Sequence, residues 1–123
     1  ALFIGLARDG ERDPTIASAY DALELITIQG ARAIGMGHLI GSIEVGKRAD
    51  IVIHSTSGPQ WTPLSPDPIL QLIWASDGRS VSDVVVNGVH VVQDSIVRTI
   101  DEISLREEVG RRGRFLLSNL GKG

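Results

Sequence analysis

The chain has 123 residues, 42% hydrophobic and 22% charged, with a formal net charge of −3. That balance fits one globular domain, or part of one, with a modest core rather than a disordered segment. The slight acidity gives no reason to expect nucleic acid or an anionic membrane as a partner. Cysteine is absent, which excludes disulfides, thiolate metal ligands and a cysteine nucleophile, and no apolar run approaches the roughly 18 residues of a membrane-spanning helix.

Residue 1 is Ala, so the sequence is expected to begin after processing or inside a larger protein. Ala1 to Ala7 is apolar with no cap before it and reads as the end of a helix whose start is missing. Arg8 to Pro14 reads as a polar loop punctuated by Gly10 and Pro14. Ser18-x-x-Asp21 is a capping-box pattern, and Ala19, Ala22, Leu23 and Ile26 follow at helical spacing. Gly30 is expected to interrupt this helix, with one more short turn over Ala31 to Ile34.

Gly41 to Ile53 reads as bend, charged corner and strand. Gly41 and Gly46 give backbone freedom at two bends, and Ile43 and Val45 alternate with Ser42 and Glu44 in the period of a half-buried strand. Asp50 leads into Ile51-Val52-Ile53, a β-branched run suited to a buried strand. A loop holding Pro59, Trp61, Pro63 and Pro66 follows. Asp67 is then a good N-cap and Pro68 a good first helical residue. The apolar residues from Ile69 to Trp74 cover nearly the whole circumference of that helix, which predicts burial on more than one side, with Gly78 ending it.

Val84-Val-Val-Asn-Gly-Val89 is the clearest hairpin signal, because Asn87-Gly88 accepts the positive φ angles of a two-residue turn. Asp94-Ser95 reads as a second turn and Ile96 to Thr99 as a short strand. Thr99-x-x-Glu102 is another capping-box pattern ahead of a final helix at about Ile100 to Leu120. On that helix Leu105, Val109, Leu116 and Leu120 share a stripe, while Glu107–Arg111 and Glu108–Arg112 can pair. Taken alone, this order predicts a small α+β sheet with helices on one face.

Four stretches together resemble the C-terminal region of the amidohydrolase superfamily. Ala22 to Gly35 is similar to its E-A-L-x-x-A-T-x-x-G-A-x-x-L-G helix pair, and Gly41 to Ile53 to its G-x-I-x-x-G-K-x-A-D-I-V segment. Asp67-Pro-Ile-Leu resembles its D-P-x-x-x-L helix start, and Val81 to Asp94 its V-x-D-V-x-V-N-G-x-x-V-V-x-D-G hairpin. Each motif is weak singly; the order and spacing are specific. The nearest branch is the cytosine/guanine deaminase and chlorohydrolase-like group, which includes triazine hydrolases and S-adenosylhomocysteine deaminases. Ser95 departs from that group's usual Gly.

The resemblance implies a fold and a function. The fold would be α/β: the last outer helices of a (β/α)8 barrel at residues 1–40, strands of an accessory composite β-domain at 41–100 with an inserted helix at about 67–77, and a C-terminal helix at 101–123. The parent enzyme would be a metal-dependent hydrolase acting on C–N or C–Cl bonds, deaminating or dechlorinating an N-heterocycle. Its divalent zinc or iron would be bound upstream by an H-x-H pair, two further His and an Asp. The 123 residues would be a structural, inactive fragment. Its partner would be the N-terminal remainder of the same protein in a cytoplasmic homo-oligomer, with neither nucleic acid nor membrane bound. Two alternatives stand beside this: a standalone interaction module without chemistry, and a fragment of an imidazolonepropionase- or dihydropyrimidinase-like enzyme that opens a cyclic amide.

No catalytic, cofactor-binding or metal-binding role is assigned to any residue here. His38, His54 and His90 stand on different predicted elements and form no H-x-H, H-x-x-x-H or H-E-x-x-H. Each reads as a surface or hydrogen-bonded histidine rather than a ligand. Asp50 reads as a carboxylate accepting backbone N–H groups rather than a catalytic acid. Lys47-Arg48 reads as a solvated corner, Trp61 as packing under its loop, and Gly35-Met-Gly37 lacks the context of a phosphate loop.

Overall fold

The computed structural model describes residues 2–120. It opens on α1 (Leu2–Glu11), α2 (Ala19–Ile26) and α3 (Ile28–Ala33). α1 runs beyond the apolar stretch into residues expected to be loop, because no proline intervenes before Pro14 and its charged residues tolerate a helix. Arg8 is not a free loop residue. Its Nε and Nη2 donate to the carbonyls of Ile16 and Ala17 at 2.8 and 2.7 Å, and its guanidinium lies 5.0 Å from the Trp74 ring centroid.

The capping box of α2 forms in full. Ser18 Oγ accepts from the Asp21 N–H at 3.1 Å, and Asp21 Oδ2 accepts from the Ser18 N–H at 2.7 Å. The break between α2 and α3 falls at Thr27 and not at Gly30, which lies inside α3. Thr27 Oγ1 donates to the Leu23 carbonyl at 2.6 Å, a side-chain bond that competes with the helical ladder. Gly41 then brings the chain back against α3 at φ +93°. A Cβ there would stand 2.7 Å from Ala31 Cβ and 2.9 Å from Ile28 Cα, so both conformation and space require glycine.

The expected strand over Ile43 to Val45 is not formed; Ile43 and Val45 are 86% and 109% exposed. Local polar bonds take its place. Ser42 Oγ donates to Glu44 Oε1 and accepts from Lys47 Nζ, which also lies 3.1 Å from Glu44 Oε1. The Lys47 N–H donates to the Glu44 carbonyl at 3.2 Å and the Arg48 N–H to Leu39 at 2.8 Å, which close a turn with Gly46 at φ +92°.

β1 (Ile51–His54), β2 (Val81–Val86), β3 (Val89–Gln93) and β4 (Ile96–Val97) form one antiparallel sheet in sequence order. β1 pairs with β2 through Ile51↔Val85, Val52↔Val84 and Ile53↔Asp83, and β2 with β3 through Val84↔Val92, Val85↔His90 and Val86↔Val89. Each pairing contains one extra residue, Ser82 in β2 and Val91 in β3, which bends the sheet. The β2–β3 turn is as expected: Asn87 and Gly88 have φ of 50° and 81°. Asp94 and Ser95 also turn at positive φ, and β4 is shorter than expected. β1 is no buried strand, since Val52 and Ile53 are about half exposed.

Between β1 and β2 lie the 3-10 turns Pro59–Trp61 and Gly78–Ser80 and the helix α4 (Pro68–Trp74). Asp67 caps α4, accepting from the Ile69 and Leu70 N–H groups at 3.0 and 3.3 Å, and its other oxygen accepts from the Tyr20 hydroxyl at 3.1 Å, tying α2 to α4. α4 is not enclosed: none of its residues is fully buried, and it stops at Trp74 rather than running to Gly78. α5 (Glu102–Leu120) is capped by Asp101, whose Oδ1 accepts from the Ile103 and Ser104 N–H groups; the Thr99–Glu102 box does not form, and Glu102 turns back to Val97 N–H at 3.4 Å. Glu108 takes both Arg111 and Arg112, and Glu102 takes Arg106, in place of the Glu107–Arg111 pair. Among the described residues the fully covered apolar ones are few and mostly small: Ile4, Ala19, Ala22, Ala31 and Trp61.

Candidate functional site

An open cleft of about 900 Å³ lies beside the sheet. One wall comes from Leu23 and Ile26 of α2, Ala31 of α3 and Ile34 just after it; the other comes from Ile51 and Val52 of β1 and from Leu72 and Ile73 of α4. Aliphatic side chains dominate it because apolar residues of α2, β1 and α4 line it together. Of its polar lining residues, His54 and Ser76 come together on Ser80, with Asp77 beside them.

These polar groups form a closed network around Ser80, which is 3% exposed. Ser80 Oγ lies 2.7 Å from His54 Nδ1, 2.7 Å from Ser76 Oγ and 2.9 Å from the Asp77 carbonyl. Giving the single Ser80 hydrogen to that carbonyl makes His54 Nδ1 the donor and leaves its Nε2 as the acceptor. The Ser80 carbonyl in turn accepts from the Ser55 N–H at 2.7 Å. These bonds join the end of β1 to the turn before β2. Asp77 spends its carboxylate on Arg79, at 2.6 Å to Nη2, and those hydrogen bonds hold its carboxyl below the usual range.

The histidines remain apart in the fold. His38 is exposed in a turn, His90 is exposed on β3, and His54 is half-buried at the end of β1. Asp50 does what its position suggested: Oδ1 accepts the Asn87 N–H at 2.5 Å, and beside it the Ala49 carbonyl accepts the Gly88 N–H at 3.0 Å. Trp61 is buried under its loop at 4% exposure, with its Nε1 lacking a partner. Lys47 departs from the expected solvated corner: its side chain is 11% exposed and bound to Ser42 and Glu44. The Ser42 hydroxyl first, and Lys47 after it, hold the Glu44 carboxyl below its ordinary range. The Ser80 network was invisible in the sequence. Nothing marks that serine until the turn at Gly78–Ser80 places it under His54.

Metal-ligating capacity follows from the same geometry. Among the described residues no three His, Asp or Glu side chains converge. His54 commits Nδ1 to Ser80, and Asp50 commits an oxygen to Asn87. These residues do not fit a metal centre. No helix among them is long and apolar enough to cross a membrane.

A family model described as the amidohydrolase family matches residues 3–91. An S-triazine hydrolase of Gordonia rubripertincta is 35% identical over 118 residues, covering 93% of this chain and 24% of that protein. A 5-methylthioadenosine/S-adenosylhomocysteine deaminase of Moorella thermoacetica is 35% identical over 87% of this chain and 25% of its own length. Among solved structures, a zinc-bound adenosine deaminase from Xanthomonas campestris superposes with a TM-score of 0.81 at 35% identity, over 89% of this chain and 25% of that one. Atrazine chlorohydrolase from Arthrobacter aurescens TC1, complexed with zinc, superposes at 0.67 and 26% identity over 76% of this chain and 20% of its own. The chain thus spans about a quarter of the length of the curated relatives it matches.

Proposed function

The chain belongs to the amidohydrolase family, and from that membership we propose that it is a structural portion of a metal-dependent hydrolase that removes an amino group or a chloride from an N-heterocyclic substrate. The observation that carries the reading is the pairing of near-complete coverage of this chain with about a quarter coverage of its relatives, whose names are those of deaminases and a triazine hydrolase. The chain's own residues supply scaffolding: helices α1 to α3 as outer barrel helices, the sheet as part of an accessory β-domain, and α5 as a terminal helix. Zinc or iron belongs to the remainder of the protein, because the histidines here are separated and His54 is tied to Ser80.

The apolar cleft and the open faces of β1 and α5 are the surfaces that this remainder, or a second subunit, would cover. Without it the chain is expected to self-associate, since β1 offers an unpaired edge with half-exposed Val52 and Ile53. Sedimentation at micromolar concentration checks this; a cooperatively melting monomer would favour a self-sufficient module.

The direct test is the source gene together with the purified chain. Sequence encoded ahead of residue 1 should contain an H-x-H pair and a T-D-G loop. The chain alone should neither hold stoichiometric metal after washing nor turn over 5′-methylthioadenosine or a chlorotriazine. Stoichiometric zinc or iron, lost on His54→Ala or His90→Ala, would overturn the assignment.

A further inference from the structure

The Asn87-Gly88 turn carries chemistry that the proposed function does not use. An asparagine followed by glycine is the sequence most open to self-modification, because glycine puts no side chain in the way of its own backbone nitrogen. Asn87 and Gly88 are both exposed, and a Cβ on Gly88 would meet nothing within 4 Å. Access alone would therefore leave the reaction free to run. The backbone nitrogens, however, are both engaged by the segment that enters β1. The Gly88 N–H donates to the Ala49 carbonyl at 3.0 Å, and the Asn87 N–H donates to Asp50 Oδ1 at 2.5 Å.

We propose that Asn87 is a latent deamidation site held closed by the Ala49–Asp50 clamp. In the reaction, the Gly88 nitrogen loses its proton and attacks Asn87 Cγ. The new C–N bond closes a five-membered imide, the Cγ–NH2 bond breaks, and ammonia leaves. Water then opens the imide at either carbonyl, giving aspartate or isoaspartate at position 87. No oxidant or co-reactant other than water is needed. The clamp opposes the first step twice. The Gly88 proton is shared with a carbonyl, and the Asn87 backbone is fixed at φ 50° by a bond on its own nitrogen. Both products act against the hairpin. Isoaspartate inserts a backbone atom between Val86 and Val89, which pair directly. Aspartate puts a negative charge on the residue whose N–H Asp50 holds. Modification is thus coupled to release of β1 from the β2–β3 turn, and is one-way.

The test compares the purified protein with Asp50→Ala, Asp50→Asn and Ala22→Gly, incubated at mildly alkaline pH. Peptide mass mapping reads the amide-to-acid mass change at Asn87, and isoaspartate is assayed in parallel. Asp50→Ala should deamidate several-fold faster than the parent. Asp50→Asn, whose side-chain oxygen can still accept the Asn87 N–H, should stay near the parent rate. Ala22→Gly destabilises the chain far from the turn, in α2. If it accelerates Asn87 as much as an equally destabilised Asp50→Ala, general unfolding sets the rate and the clamp is overturned. A parent rate equal to that of the same chain in denaturant would overturn it as well.

Discussion

The β1–β2–β3 sheet and α5 both expose apolar residues but are held in opposite ways. The sheet is fixed by bonds between segments distant in sequence: Asp50 to Asn87, Ala49 to Gly88, His54 to Ser80 and Ser82 Oγ to the Ile53 carbonyl. α5 is fixed almost wholly by itself, through the Asp101 cap and the Glu102–Arg106, Glu108–Arg111 and Glu108–Arg112 pairs. Its stripe residues Val109, Leu116 and Leu120 are 61%, 62% and 79% exposed. An apolar stripe thus places a helix face without guaranteeing it a neighbour. A helix draws most of its stability from packing an apolar face, so α5 should be the first element to fray.

Substitutions in the sheet should be felt throughout the domain, and the largest effect is expected at Ser80. Ser80→Ala leaves His54 Nδ1 and Ser76 Oγ without their partner and should lower stability by roughly 1–3 kcal/mol. The thermal melt reads it; an unchanged midpoint would show that the network does not hold β1. Gly88→Val comes next. A β-branched residue at φ +81° should destabilise by roughly 1–2 kcal/mol although space is open there, and denaturant titration would show a lower midpoint with an unchanged slope.

α5 should answer locally and in the other direction. Gly113→Ala, at a position where a Cβ meets nothing within 4 Å, should favour helix by up to about 1 kcal/mol. Amide exchange over 102–120 should slow while the sheet amides stay as they were. If the sheet amides slow too, the two regions are coupled and the contrast fails.

The smallest effect is a pH dependence. The Ser104 hydroxyl holds the Asp101 carboxyl below its ordinary value of 3.8, and Arg111, with Arg112 after it, lowers that of Glu108. A lowered folded value means the contribution is complete above the unfolded value and fades as pH falls through the folded one. Helical ellipticity should therefore hold above about pH 5 and decline as the pH falls below it. Loss already at pH 6 would place its cause elsewhere.

Local order was legible in the residues themselves. Ser18 with Asp21, Asp67 with Pro68, and Asn87 with Gly88 each specify a backbone geometry through bonds or φ preferences a few residues long, and all three form as read. The motifs that gave the family are of this kind as well, since order and spacing survive without knowledge of packing. Pattern alone misled wherever a competing local bond existed. The alternation at Ile43 and Val45 gave way to the Ser42–Glu44–Lys47 turn, and Thr27 rather than Gly30 broke the second helix.

The caps of α2 and α4, the hairpin turn and the family could be read from the residues, because these rest on short-range sterics and hydrogen bonding. Which apolar faces are covered, the burial of Ser80 beside His54, and the reach of Asp50 to Asn87 came only with the packed fold. Those depend on where segments tens of residues apart come to rest, and neither a hydroxyl nor a carboxylate announces its distant partner in the chain.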